Sequence, residues 1–241
     1  MRDIASYSKA YRELPFESIQ LSYRRKMVLN QILEIGPESI LEIGCGEKPL
    51  FIDVPFFKHT VIEPSLEFYN HAKRMASARN VELINSFLED YDFENKKFDM
   101  IVASCVLHEV ESPQAFLAAI KSVCSQNSVV HINVPNALSM HRILAKEMGI
   151  IPDVFAQSNT QEIMQQRSKV YDISNLINEI ERAGFVVKNS GSIFIKPFSH
   201  KQMQELINIG FIDEAMLDGF DKLISYFPDF GSEIWVNVVL R

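Results

Sequence analysis

The chain has 241 residues, of which 47% are apolar and 23% charged, enough to bury one large core or a core with a small appendage. A net charge of −7 argues against a nucleic-acid surface as its main function. No uncharged apolar run reaches the roughly 18 residues that would cross a bilayer. Cys45, Cys105 and Cys124 lie in or beside apolar runs without C-x-x-C spacing. The first residues, MRDIASYSKAYRELPFE, lack the apolar core of a signal peptide, so a cytoplasmic protein with free thiols is expected.

Residues 17–34, ESIQLSYRRKMVLNQILE, predict an amphipathic helix with Ile19, Leu21, Met27, Leu29, Ile32 and Leu33 on its inner side. SILEIG (39–44) is a short apolar strand that runs into "GCGEKP". HTVIEP (59–64) is a second strand, and Pro64 and Ser65 open a helix to about residue 77. VELINS (81–86) and FDMIVASCVL (98–107) are strands three and four, the latter continuously apolar as in a strand buried on both faces. Ser112 and Pro113 suit the N-cap and first turn of a helix over 112–124, and SVVHINV (128–134) is a fifth strand. Helices over 137–150 and 173–184 follow, then a strand at 185–195, two amphipathic helices, and a last strand at 233–240. The alternation predicts a parallel sheet with helices on both faces, which binds ligands beyond the carboxyl ends of its strands. The glycines of "GCGEKP" stand at such an end.

"ILEIGCG" (40–46), the acid of "VIEP" and "FDMIVASCVLHEVESP" (98–113) together resemble the class I S-adenosylmethionine (SAM) methyltransferases. The resemblance implies a Rossmann-like doubly wound α/β sheet of about seven strands, the last antiparallel. It implies SAM as cofactor, with S-adenosylhomocysteine (SAH) as product. Gly44 and Gly46 would admit the methionine portion without a Cβ clash. Glu42 and Ser104 would border it, and Glu63 would accept from both ribose hydroxyls. Ser86 and Phe87, with Glu89, occupy the loop that meets adenine in this family. Residues 1–36 would form a lid carrying Tyr7, Tyr11 and Arg24, with Arg24 or its neighbour Arg25 forking the SAM carboxylate. Residues 37–241 would form the methyltransferase domain, with 196–230 as a helical insertion over the acceptor. The first strand and turn would also suit a nicotinamide-dinucleotide enzyme, but Pro49 stands where that fingerprint needs a third glycine. A non-catalytic SAM-binding protein is a further alternative.

A neutral hydroxyl acceptor benefits from a general base, and His108 and His141 border the expected methyl position. His131, inside the fifth strand, reads as a core residue. The segments "VPNALSMHRILA" and "GSIFIKPFSHKQM" resemble bacterial methyltransferases of sugar and surface-glycan biosynthesis. In them Asn136, Arg142, Lys196 and His200, with Tyr7, are candidates to hold a small anionic acceptor. No spacing suggests a metal, and neither a nucleic acid nor a membrane is an expected partner.

Overall fold

The computed structural model describes residues 11–55, 57–76, 80–157 and 169–241; Tyr7 lies outside them. Seven strands form one sheet: β1 (Ser39–Ile43), β2 (Lys58–Ile62), β3 (Val81–Ile84), β4 (Phe98–Ser104), β5 (Cys124–Pro135), β6 (Phe185–Ile193) and β7 (Glu233–Leu240). Their order across the sheet is β3-β2-β1-β4-β5-β7-β6. The ladders from β3 to β5 are parallel, and β7 runs antiparallel to both β5 and β6. The doubly wound sheet with an antiparallel last strand is therefore as the sequence predicts.

The helices are α1 (Glu17–Ile35), α2 (Leu66–Met75), α3 (Pro113–Ser122), α4 (Met140–Glu147), α5 (Ile173–Arg182), α6 (His200–Asn208) and α7 (Glu214–Lys222). Several ends are set by local chemistry. Ser65 and Ser112 cap α2 and α3 by accepting from Phe68 N and Ala115 N. Ser199 and Gln202 form a reciprocal capping box at the start of α6. After the glycines the chain makes a 3₁₀ turn, Leu50–Ile52.

Alternate strand residues feed the two faces of the sheet. Phe116, Leu117 and Ile120 of α3 and Leu176 and Ile180 of α5 cover Leu41, Ile101 and Ile132 on one face. Val28 and Ile32 of α1 cover Ile40, Met100 and Val102 on the other. The amino-terminal half of α1 departs from the predicted pattern. Its buried stripe is Gln20, Arg24, Val28 and Ile32, whereas Leu33 is 57% exposed. Two polar residues point inward because that half of α1 meets the polar end of β7, not the apolar centre of the sheet. Beyond it, Phe16 packs with Phe194, Met203, Ile212 and Leu217, which joins α1 to the helical segment between β6 and β7.

Candidate cofactor site

The order of the strands reverses between β1 and β4, and a cavity of about 680 Å³ opens at their carboxyl ends. That volume is within the roughly 300–1,000 Å³ usual for cofactor sites. β1 ends directly at Gly44, whose N–H donates to Ile62 O of β2 at 2.9 Å. Gly44 has φ of 74°, and a Cβ there would lie 3.0 Å from Val106 Cγ2. Gly46 has φ of 52° and nothing within 4 Å of its Cβ position, so its bare face fronts the cavity. Both positions are left-handed, a conformation that glycine adopts without the Cβ penalty.

Glu63 follows β2 and is bound from three sides. Oε2 accepts from Cys45 N at 2.9 Å and Gly46 N at 3.3 Å, and Oε1 accepts from Ser65 N at 2.8 Å. One carboxylate thus ties the glycine turn to the start of α2. Burial pushes its pKa up, and the three N–H donors oppose that shift. Glu42, one strand over, accepts from Leu50 N at 2.9 Å; burial raises its pKa to about 8. Ser86, Phe87 and Ser104 also line the cavity, as do Tyr11, Arg24 and Arg25. The structure therefore brings the residues expected at the cofactor together around one cavity.

Arg24 and Arg25 leave α1 differently. Arg24 is buried, with Nε donating to Glu233 at 2.9 Å and Nη2 to Glu233 at 2.6 Å and Glu17 at 3.0 Å. Although burial pushes the Glu17 carboxyl up, Arg24 and His200 outweigh it and hold the group at about 2. Arg25 pairs with Asp53 at 2.5 Å and donates to the carbonyls of Lys48 and Pro49, bracing the segment after the glycines.

Among the described residues, those expected at the acceptor lie outside this cavity lining. His108 is buried behind it, with Nε2 3.7 Å from Glu109 Oε1. Its neighbour Glu109 lines the cavity instead, in the same wall as Ser104 and Cys105. The backbone N–H of His141 donates to Lys196 O, in the loop after β6, at 3.1 Å. Burial and the Lys196 charge hold the His141 imidazole well below its usual range. Asn136 braces a loop, donating to Asp229 O and Gly231 O and accepting from Leu138 N, each at 2.9 Å. Arg142 donates to Val154 O at 2.9 Å and to Ala156 O. Lys196 is 1% exposed and lies 2.9 Å from His200 Nδ1. His131 is a core residue, 2.8 Å from Asn237 Oδ1, with burial lowering its pKa to about 4.

Sequence reasoning missed Glu17, Gln20, Glu109 and Glu233. Only Glu109 carried a signal, since it sits in the same "VLHEV" turn as His108. Among the described residues no cluster of side chains is arranged to hold a metal, and no helix is long and apolar enough to cross a membrane.

The comparisons agree with this geometry. No curated protein matches the chain in sequence. Among solved structures, a chain of the Haloferax volcanii complex between the Trm112 methyltransferase activator and a methyltransferase superposes with TM-score 0.67 at 11% identity, covering 100% of this chain and 98% of that one. The plantazolicin methyltransferase BpumL, in complex with a monoazolic desmethylPZN analog and SAH, gives 0.54 at 20% identity, covering 99% and 89%. Magnesium protoporphyrin IX methyltransferase (ChlM) from Synechocystis PCC 6803, with bound SAH, gives 0.58 at 12% identity, covering 90% and 82%. At these identities the likeness is one of fold. A family model described as a methyltransferase domain matches residues 20–189, which takes in the glycine turn, Glu63 and the whole of the cavity wall from β4. The chain belongs to that methyltransferase family.

Proposed function

We propose that the protein transfers the methyl group of SAM to a small acceptor at the carboxyl edge of β1 and β4. The observation that carries the reading is the Gly44–Gly46 turn locked to Glu63, with both facing one cavity. The cofactor is SAM. Glu63 takes the ribose hydroxyls, Gly44, Gly46, Glu42 and Ser104 surround the methionine portion, and Ser86 and Phe87 meet the adenine. Arg24, held in the wall by Glu17 and Glu233, faces the carboxylate. The enzyme's part in an in-line displacement is to align donor and acceptor and to exclude water. The wall formed by buried Arg24 and half-buried Cys105 and Glu109 suits that role.

For the acceptor, the reading supported by the two late segments is an oxygen of a sugar or phosphorylated metabolite in surface-glycan biosynthesis. Glu109 is then the group placed to take the hydroxyl proton, with His108 behind it. Lys196 and Arg142 contribute positive charge through space, not by contact. A second reading, a basic or neutral nitrogen acceptor, is favoured by the cavity's charge. Glu89, Asp90, Glu109 and Glu111 line it together with Glu47, against Arg24, Arg25 and Lys48. Calorimetry with SAH tests the cofactor, and tight NAD binding with no SAH binding would overturn the reading. Methyl transfer from labelled SAM to a panel of sugars, sugar phosphates and small amines then separates the two acceptor classes.

A further inference from the structure

Six polar side chains close a ring behind the cavity wall. Lys196 Nζ lies 3.1 Å from Gln20 Oε1, and Gln20 Nε2 donates to Glu233 Oε1 at 2.7 Å. Arg24 Nη2 donates to Glu233 Oε1 at 2.6 Å and to Glu17 Oε1 at 3.0 Å. His200 Nε2 lies 3.5 Å from Glu17 Oε2, and His200 Nδ1 lies 2.9 Å from Lys196 Nζ. The members come from α1, β7, the first turn of α6 and the loop before it.

With Lys196 charged and His200 neutral, the ring has a self-consistent set of protons. A lysine ammonium only donates, so with Lys196 charged it gives to Gln20 Oε1 and His200 Nδ1. The remaining imidazole proton is then on Nε2, facing Glu17. Lys196 and Arg24 together balance Glu17 and Glu233. Burying such a set costs desolvation that its own attraction only partly returns, so stability is a poor reason for its existence. Its contacts suggest a better one. Arg24 and Tyr11 line the cavity, and the Tyr11 hydroxyl donates to Glu17 Oε1 at 3.1 Å. Cys105, also in the lining, has Sγ 3.6 Å from Glu233 Oε2.

We propose that Lys196 and His200 are positioning residues for the cofactor. Through the ring they fix Arg24 and Tyr11 in the cavity wall, and the Lys196 charge offsets the two glutamates so that Arg24 stays available to the cofactor's carboxylate. The inference rests on the SAM reading above. With Lys196 neutral, the ring carries a net negative charge beside the carboxylate. The charged and titratable groups around Lys196 are Glu17 and Arg24 of α1, Glu233 of β7, His200 of α6, and His141 and Arg142 of α4. Burial pulls the Lys196 ammonium down to about 7, with Glu17 and Glu233 holding it up. Burial and the Lys196 charge lower His200 and His141 as well, which opposes a second positive charge beside a charged Lys196. Cofactor affinity is therefore full below the Lys196 pKa and falls as pH rises through it. The fall is on the order of tenfold, the scale of one charge lost near a carboxylate at an effective dielectric near 20.

The test is SAH binding by calorimetry from about pH 6 to pH 9 for the wild type, K196M and K196R, with thermal melts to show that each is folded. The wild type should weaken by about tenfold across the range. K196M should be weak and flat, and K196R, whose guanidinium does not titrate there, tight and flat. A wild-type slope that persists in either variant overturns the inference. If K196M does not fold, K196R decides alone: a flat profile supports the ring and a wild-type slope refutes it. A wild type that binds no SAH at any pH overturns the cofactor reading and this inference with it, whereas SAH binding with a slope shared by all three proteins overturns only the ring.

Discussion

Glu63→Gln is the sharpest test of the cofactor site. The carboxylate accepts three backbone N–H bonds in the absence of any ligand, two on Oε2 and one on Oε1. An amide keeps one acceptor oxygen. In its better orientation that oxygen stays on Cys45 and Gly46, and the new NH₂ points at Ser65 N. The loss is one charge-assisted hydrogen bond in a buried place, about 1.5–3 kcal/mol, much of it charged to the fold. The same NH₂ can no longer accept from a ribose hydroxyl, a further loss of about 1–2 kcal/mol to binding, or roughly five- to thirtyfold in Kd. The assay is calorimetry with SAH and with an analogue lacking both ribose hydroxyls, on wild type and variant, with melting curves of the free proteins. The wild type should prefer SAH and E63Q should lose most of that preference. An equal penalty on SAH and on the analogue would mean that Glu63 only holds the turn, and the ribose assignment would be refuted.

Three further outcomes are expected. Gly44→Ala forces a side chain into φ of 74° with Val106 Cγ2 3.0 Å away; it should lower stability by about 1–3 kcal/mol and weaken SAH binding, read by melting and calorimetry. Glu109→Gln should lower kcat by about 10²–10⁴ with little change in SAH affinity, while His108→Ala should cost less; the reverse ranking would return the proton-accepting role to His108. Glu42 has a folded pKa of about 8, above its unfolded value, so the unfolded chain releases its proton first and stability falls as pH rises from about 4.5 to 8. Glu42→Gln keeps the acceptor for Leu50 N and removes the titration, so melting profiles across that range should show the variant gaining on the wild type by on the order of 1–3 kcal/mol near pH 8.

The glycine turn and Glu63 were legible because the requirement is local. A strand that stops at two glycines, and a second strand that stops at an acid, say where backbone must be bare and where an acceptor must stand. The ring was not legible, because its logic is tertiary. Gln20 and Arg24 are one turn apart on α1, and by periodicity alone they mark the solvent face. They turn inward only because Glu233, more than two hundred residues away, waits there. The same omission put Leu33 in the core. His108 and Glu109 show a finer limit. They are consecutive in one turn, so neither composition nor spacing could tell which would line the cavity and which would back it. The acceptor side was read from the resemblance of two segments and from residue chemistry, whereas Arg142 and Asn136 spend their hydrogen bonds on backbone carbonyls.

The insertion of β7 between β5 and β6 sets an order of events during synthesis. β1 to β5 form a contiguous parallel block whose neighbours are all made by the time β5 emerges. β6 follows, yet both its ladder and the second edge of β5 belong to β7, which the ribosome makes only after α6 and α7. Until then two strand edges stand open, the arrangement most exposed to wrong pairing. Glu233, the residue that anchors Arg24, is the first residue of that late strand. The wall of the cavity therefore cannot be completed before the sheet is, and a nascent chain halted before β7 would carry the glycine turn and Glu63 without the anchor of Arg24.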